Sequence, residues 1–208
     1  MARLQATEVL YDIATRHSLD AAKLAAFVAE DKQDGWRGGS EFLGSVWVEE
    51  GQVLYALVRY TRPTLVYEFG TSVGGSTGHI AAALKKNRKG KLITLDIEPN
   101  AGENVDKALY KQVEFVTADA WLYNLEPCNF VFEDASHTAG LVECVARKAR
   151  AALTPGGFCL HHDALQSAVG EGVRAGLKAA EVDFVIHATG AEGGWGRTGL
   201  AVWRKGEK

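Results

Sequence analysis

Apolar residues follow two different rhythms along this chain. Near the amino terminus they recur at helical spacing, as Leu4, Val9 and Ile13 between Ala2 and about Arg16, then as Leu24, Phe27 and Val28 between Leu19 and Glu30. Both segments predict amphipathic helices. Residues 31 to 45, DKQDGWRGGSEFLGS, gather Gly, Asp and Ser into a stretch read as a loop and long enough for a lid. A third helical pattern covers Val48 to Tyr60. Beyond it come short apolar runs: LVYEF at 65, LITLD at 92, VEFV at 113, NFVFED at 129, GFCLH at 157, DFVIH at 183 and LAVWR at 200. Each predicts a strand.

Helical patterns separate most of these runs. In LVECVARKARAAL, Leu141, Val145, Ala149 and Leu153 form a stripe opposite Glu143, Arg147 and Lys148, and ALQSAVGEGVRAGLKAA carries Leu165, Val169, Val173 and Leu177. The strand runs are continuously apolar rather than alternating, which is the signature of a parallel sheet buried on both faces. Only ATGAEGGWGRTG joins the last two runs, so the final strand is expected to be antiparallel. The expected fold is α/β, a doubly wound Rossmann-like sheet of about seven strands, mostly parallel with an antiparallel last strand, plus N-terminal helices. Residues 1–47 are read as those helices and a lid loop, and 48–208 as one compact ligand-binding domain. A length of 208 residues leaves no room for two large domains.

Composition narrows the function classes. Hydrophobic residues at 47% and charged residues at 24% build an ordinary globular core and exclude disorder as the dominant state. A net charge of -3 provides no global field toward nucleic acid or an anionic membrane, so neither is expected as a partner. The basic run KKNRKGK, residues 85 to 91, falls at a helix carboxyl end, where lysines complement the dipole and stay solvated. The amino terminus mixes charges into every helical turn, unlike a secretion signal or a membrane span. Cys128, Cys144 and Cys159 lie in or beside apolar segments, as buried thiols of a reducing, cytoplasmic compartment would. His79 and His187 are read as structural and Trp47 as a core residue. Trp36, Phe42 and Trp195 sit in or beside the two Gly-rich loops, as parts of a lid or a subunit contact, and a homodimer through the first helices is expected.

Ligands of open α/β sheets bind outside the carboxyl ends of the strands. Here the first strand runs into the glycine turn Glu68 to Thr77, the second ends at Asp96, the third leads to Asp119, the fourth ends at Glu133 and Asp134, and the fifth at His161, His162 and Asp163. A single Asp at such a place can be a helix cap, but acidic groups after four successive strands are read as lining one pocket. The turn places Ser72 where a dinucleotide fingerprint requires glycine, and no lysine occurs between Glu68 and Lys85, as a P-loop would require. The pocket therefore suits a ligand that is uncharged or cationic near the carboxylates, with a ribose held by an acidic side chain.

The string EFGTSVGGST resembles the first motif of class I S-adenosylmethionine-dependent methyltransferases, in the E-x-G-T-x-x-G-x-S-T form of metal-dependent O-methyltransferases of the catechol and caffeoyl-CoA types. LITLDIEP, TADA, FVFEDASHT and LTPGGFCLHHDA follow in the family's order, so the resemblance covers about Val48 to Asp163. It implies that Glu68, Gly70, Thr71, Ser72, Gly74 and Ser76 surround the methionine portion of S-adenosylmethionine. It further implies that Asp96 accepts the ribose hydroxyls and that Asp119, Ala120 and Trp121 meet the adenine. Asp134 matches the family's first metal-ligand aspartate, and His162 with Asp163 matches a pair that is usually Asp-Asn. The spacing Asp134-x-x-His137 is similar to that of macrolide-sugar O-methyltransferases, in which the histidine is the base.

The implied activity is O-methylation of a small hydroxylated acceptor, with a divalent metal at Asp134, His162 and Asp163 and catalysis by His137, Asp134 and His162. His162 replaces a carboxylate, and a mixed nitrogen and oxygen donor set suits Mn, Fe or Zn better than Mg. Three alternatives stay open at this point. His137 is a base or a solvated residue capping the next helix; the enzyme is metal-assisted or relies on His137 or His162 alone; the chain catalyses or only binds the cofactor. Glu133 stands where the family has an apolar residue, and it faces the cofactor, the opposite side, or the metal as a competitor.

Overall fold

The computed structural model describes residues 5–34, 46–177, 185–188 and 199–206. In chain order these form α1 (Ala6–His17), α2 (Ala21–Asp34), α3 (Val48–Thr61), β1 (Leu65–Phe69), α4 (Gly75–Asn87) and β2 (Lys91–Asp96). A 3-10 helix (Lys107–Gln112) precedes β3 (Val113–Thr117), followed by β4 (Cys128–Glu133), α5 (Ala139–Ala152), β5 (Leu153–His161), α6 (Ser167–Leu177), β6 (Val185–Ala188) and β7 (Gly199–Arg204). The sheet has seven strands in the order β3-β2-β1-β4-β5-β7-β6. All are parallel except β7, which runs antiparallel to both β5 and β6, as the sequence predicts for the final strand.

The continuity of the apolar runs has a simple cause: each strand serves two cores. Val66, Leu92, Phe130, Phe132, Phe158 and Leu160 pack with α1 to α4 on one face. The residues between them, Tyr67, Leu95, Val131 and Cys159, pack with α5 and α6 on the other. Successive strand side chains point to opposite faces, so a strand covered on both sides must be apolar at every position. No helix of the described residues is long and apolar enough to cross a membrane.

Several boundaries differ from the sequence reading. Helix α2 continues to Asp34, so Asp31 is not part of a loop; it is buried, with Oδ1 3.3 Å from Nδ1 of His79, itself buried as a structural histidine would be. The rest of that stretch, residues 35–45 with Trp36 and Phe42, lies outside the described residues, as do Ala2 to Leu4, Asp183, Phe184, Trp195 and the side chain of His187. Leu153 opens β5 rather than closing α5, because its backbone is already extended at φ -61° and ψ 134°. Leu165 precedes α6 in a turn closed by the Gln166 amide donating to the Asp163 carbonyl, and it is exposed instead of joining the stripe. The basic run lies, as expected, where α4 ends and β2 begins, away from the carboxyl ends of the strands.

Helix α6 lies against α5 at a distance set by a missing side chain. A Cβ on Gly176 would stand 2.4 Å from the Ala146 Cβ and 2.7 Å from the Glu143 carbonyl oxygen. Gly176→Ala is expected to push the helices apart and lower stability by about 1–3 kcal/mol, the usual cost of overpacking. Urea unfolding checks this as a lower midpoint with an unchanged slope.

Candidate active site

The chain leaves β1 toward β2 on one side of the sheet and later crosses to β4 on the other, which makes the β1/β4 boundary the topological switch point. Phe69 and Glu133 are register partners at the strand ends, and the Asp134 amide donates to the Phe69 carbonyl at 2.8 Å. Gly70, at φ 92°, follows at once, and a Cβ there would stand 2.3 Å from the Asp134 carbonyl oxygen. The glycine turn and the end of β4 therefore touch backbone to backbone.

Glu68 braces this turn from beneath. It is fully buried and accepts hydrogen bonds from Ser76 Oγ, Thr77 Oγ1 and Thr94 Oγ1, each at 2.6 Å, while Thr71 Oγ1 lies 2.6 Å from Thr94 Oγ1. Burial pushes its carboxyl up to about 7, against the pull of those hydroxyls. Both carboxylate oxygens are thus spent on the chain itself, and Ser76 is turned inward with them. Gly74 is the N-cap of α4. Asp96, at the end of β2, accepts from the Ser72 amide at 2.8 Å and the Glu98 amide at 3.0 Å, which fixes its carboxylate beside the turn.

Asp119 accepts from the Trp121 amide at 2.8 Å, forming a tight turn after β3 with Ala120 buried and Trp121 half exposed. Sequence reasoning placed Lys148 on the solvated stripe of α5. Its Nζ instead donates to the carbonyls of Ala120, Trp121 and Tyr123 at 2.8, 2.8 and 2.9 Å and holds this turn in place. Nothing local in the sequence marks it, because its partners lie 25 to 28 residues away.

The fourth and fifth strand ends bring together Asp134, His162 and Asp163, and His137 joins them from the turn before α5. His162 Nδ1 lies 3.1 Å from Asp134 Oδ1 and 3.4 Å from Asp163 Oδ2. His137 Nε2 lies 2.8 Å from Asp163 Oδ2 and 3.9 Å from Asp134 Oδ1, with its side chain 52% exposed. A residue absent from the sequence reading completes the group: Glu50 of α3 has Oε2 2.8 Å from His162 Nε2. Burial works against the charges here, yet each stabilises another. The carboxyls of Asp134 and Asp163 are held below their usual range by the histidines, and His162 is held well above its own. The Asp134 and Asp163 carboxylates push His137 up to about 10. Both ring nitrogens of His162 face carboxylates, while the His137 ring stands on the rim.

The residues fit a divalent ion. Asp134, His162 and Asp163 each offer a ligand atom within 4.8 Å of the others, and Asp163 Oδ1 is buried with no hydrogen-bond partner among the described residues. Adjacent donors on bonds of ~2.1 Å stand about 3.0–3.4 Å apart at angles of 90–109°, the spacing that His162 Nδ1 keeps from the two carboxylates.

Glu133 points to the other face of the sheet and takes no part in this group. Its Oε2 lies 3.0 Å from His161 Nδ1, and His161 Nε2 lies 3.3 Å from Cys159 Sγ, all three residues being buried. Burial pulls His161 down, but the Cys159 sulfur and the Glu133 carboxylate overcome it and push the ring up to about 10. Its unfolded value is ~6.5, so folding takes up a proton, and the stabilisation is complete below ~pH 6.5 and lost as pH rises through the folded value. Glu133→Gln is expected to cost about 3–5 kcal/mol near pH 6.5, as for a buried pair that loses one member. Urea unfolding at two pH values checks that this difference narrows toward pH 10.

Residues 67–164 match the family model described as a methyltransferase domain. No curated protein matches the sequence. Among solved structures, the O-methyltransferase from Bacillus cereus in complex with SAH is similar at TM-score 0.64 and 19% identity, with 95% of this chain and 97% of that chain covered. A putative O-methyltransferase from Klebsiella pneumoniae is similar at 0.63 and 17%, covering 96% of each. The N-methyltransferase NodS from Bradyrhizobium japonicum is similar at 0.59 and 17%, covering 76% of this chain and 96% of that one. At these identities the likeness is one of fold, and it spans different acceptor atoms. Residues 67–164, from β1 to the turn at Asp163, thus match a methyltransferase domain, and the chain resembles the class I, S-adenosylmethionine-dependent methyltransferases in both motif and fold.

Proposed function

We propose that this protein transfers the methyl group of S-adenosylmethionine to a hydroxyl oxygen of a small molecule, assisted by a divalent ion at Asp134, His162 and Asp163. The observation that supports this reading is the contact of the glycine turn with the end of β4, where the acid and histidine group begins. In this reading Gly70, Thr71, Ser72 and Gly74 line the methionine portion, with Glu68 and Ser76 acting from beneath. Asp96 accepts the ribose hydroxyls, and the turn of Asp119, Ala120 and Trp121 meets the adenine.

The reaction is an in-line displacement. An acceptor oxygen forms its bond to the methyl carbon as the carbon–sulfur bond breaks, the sulfonium becomes a thioether, and the hydroxyl proton leaves to a base. The protein's work is positioning and proton removal. The ion supplies Lewis-acid chemistry that lowers the pKa of the acceptor hydroxyl. His137 takes the proton at Nδ1, while its Nε2 stays against Asp163 and Asp134 and orients the ring. Asp134 and Asp163 push His137 up to about 10, and a cation held by the same carboxylates would weaken that pull. A metal-independent reading rests on the histidines that already neutralise these carboxylates; activity that survives chelation would favour it.

Asp96→Ala is expected to weaken S-adenosylmethionine binding roughly 10–100-fold in calorimetric titration, the worth of hydrogen bonds to a charged group. Wild-type affinity in that variant would remove the ribose assignment. S-adenosylhomocysteine formation across a panel of hydroxylated small molecules, with and without a chelator, tests the reaction itself. His137→Gln is expected to lower kcat roughly 10²–10⁴-fold at unchanged cofactor affinity. The wild-type rate is expected to climb with pH as His137 loses its proton, and the variant to lose that limb. Cofactor binding without turnover on any acceptor would leave a binding module in place of an enzyme.

A further inference from the structure

We propose that Glu50 is a positioning residue of the metal centre: through Nε2 of His162 it fixes the ring so that Nδ1 faces the ion, which makes α3 part of the site. The proposal rests on the reading of Asp134, His162 and Asp163 as a divalent-ion site.

The argument begins with a comparison inside the chain. Glu50 is the third residue of α3, and its Oε2 accepts from the Trp47 amide at 2.8 Å. Glu8 has the same place in α1 and accepts from the Gln5 amide at 2.7 Å, but does so at an exposed position. Capping a helix therefore does not require a buried carboxylate. Glu50 is nonetheless fully buried, which is costly for a charge without a strong partner. The partner is His162, 112 residues further along the chain, at 2.8 Å.

This bond has a chemical consequence for the far side of the ring. In the neutral imidazole, an Nε2–H held by a carboxylate leaves the lone pair on Nδ1, where an ion would take the place of a proton. Nδ1 is the atom that lies 3.1 Å from Asp134 Oδ1 and 3.4 Å from Asp163 Oδ2. A carboxylate behind a metal-binding histidine fixes its tautomer and orientation and makes it a better donor. A second and independent observation is the buried Asp163 Oδ1, which has no hydrogen-bond partner among the described residues, so this carboxylate keeps an oxygen that could take a cation. Glu50 itself lies outside the three-donor group, behind the ring. A nitrogen donor strengthened in this way selects for Mn, Fe, Co or Zn over Mg.

Calorimetric titration of the full-length protein with Co²⁺, followed also by its visible absorption, tests the proposal. The wild type is expected to bind one ion and Asp134→Asn to lose it. Glu50→Gln, which keeps shape and capping oxygen but not charge, is expected to bind Co²⁺ roughly 10–100-fold more weakly, and Glu50→Ala at least as weakly. Their affinity for S-adenosylmethionine should stay at the wild-type value, which a merely structural role of Glu50 would not preserve. In the cobalt-loaded wild type, proton NMR should show one hyperfine-shifted histidine N–H in slow exchange, a readout that needs no variant. Wild-type cobalt affinity in Glu50→Gln, parallel losses of cobalt and cofactor, or absence of that resonance would overturn the role of Glu50 alone. A wild type that takes up no Co²⁺, or an Asp134→Asn variant that still does, would overturn the metal reading and the proposal with it.

Discussion

Between the end of β1 and the end of β4 the backbones pass so closely that no side chain fits, and the Gly70 position meets the Asp134 carbonyl oxygen. The parallel register sets this up, because Phe69 and Glu133 leave the sheet at the same level and the next residues must face each other. The rest of the site inherits its spacing from that contact. The turn that leads into α4 and the carboxylate that opens the acid and histidine group are joined by this backbone contact, and the Glu68 and Asp96 side chains brace the turn from beneath and beside it. Methyl transfer depends on an in-line approach, and a misplacement of about 1 Å can cost on the order of 10²-fold in rate. A rigid joint at this point is what such a reaction requires of its scaffold.

The same register sorts the charges. Glu133 and Asp134 are adjacent at the end of β4, His161 and His162 at the end of β5, and Glu133 is paired with His161 across the two strands. Successive residues point to opposite faces, so the two dipeptides yield two separate acid–histidine pairs. One pair, Glu133 with His161, is closed into the core beneath α5 and α6 and contributes to stability. The other, Asp134 with His162, faces the cleft and gains Asp163, Glu50 and the half-exposed His137. Identical chemistry becomes structural on one face and available on the other, through nothing more than strand alternation.

This division explains what could be read from the sequence. The fold was legible because continuous apolar runs between helical stripes have one economical arrangement, and the antiparallel final strand followed from a linker with no helix. The residues at the strand ends were legible because the carboxyl edge of such a sheet gathers them whatever the details of packing. The face taken by Glu133 was not, since one residue of register decides it and both faces are buried. The inward turn of Glu68 was hidden for a similar reason: its partners Ser76, Thr77 and Thr94 come from a helix and a neighbouring strand.

Lys148 and Glu50 show where local reasoning stops. Each is a charged residue on a helix, and the ordinary expectation for either is solvent. Both instead reach the carboxyl edge of the sheet, Lys148 from the layer of α5 to hold the turn after β3 and Glu50 from the layer of α3 to hold His162. A buried or capping charge acquires its meaning from its partner, and these partners are supplied only when the two helical layers close on the sheet. The strands therefore place the reactive groups, while one helix from each face fixes how they point. In a doubly wound fold the site is the line along which both layers meet the strand ends, and its supporting residues must be sought on helices whose sequence gives no local sign of them.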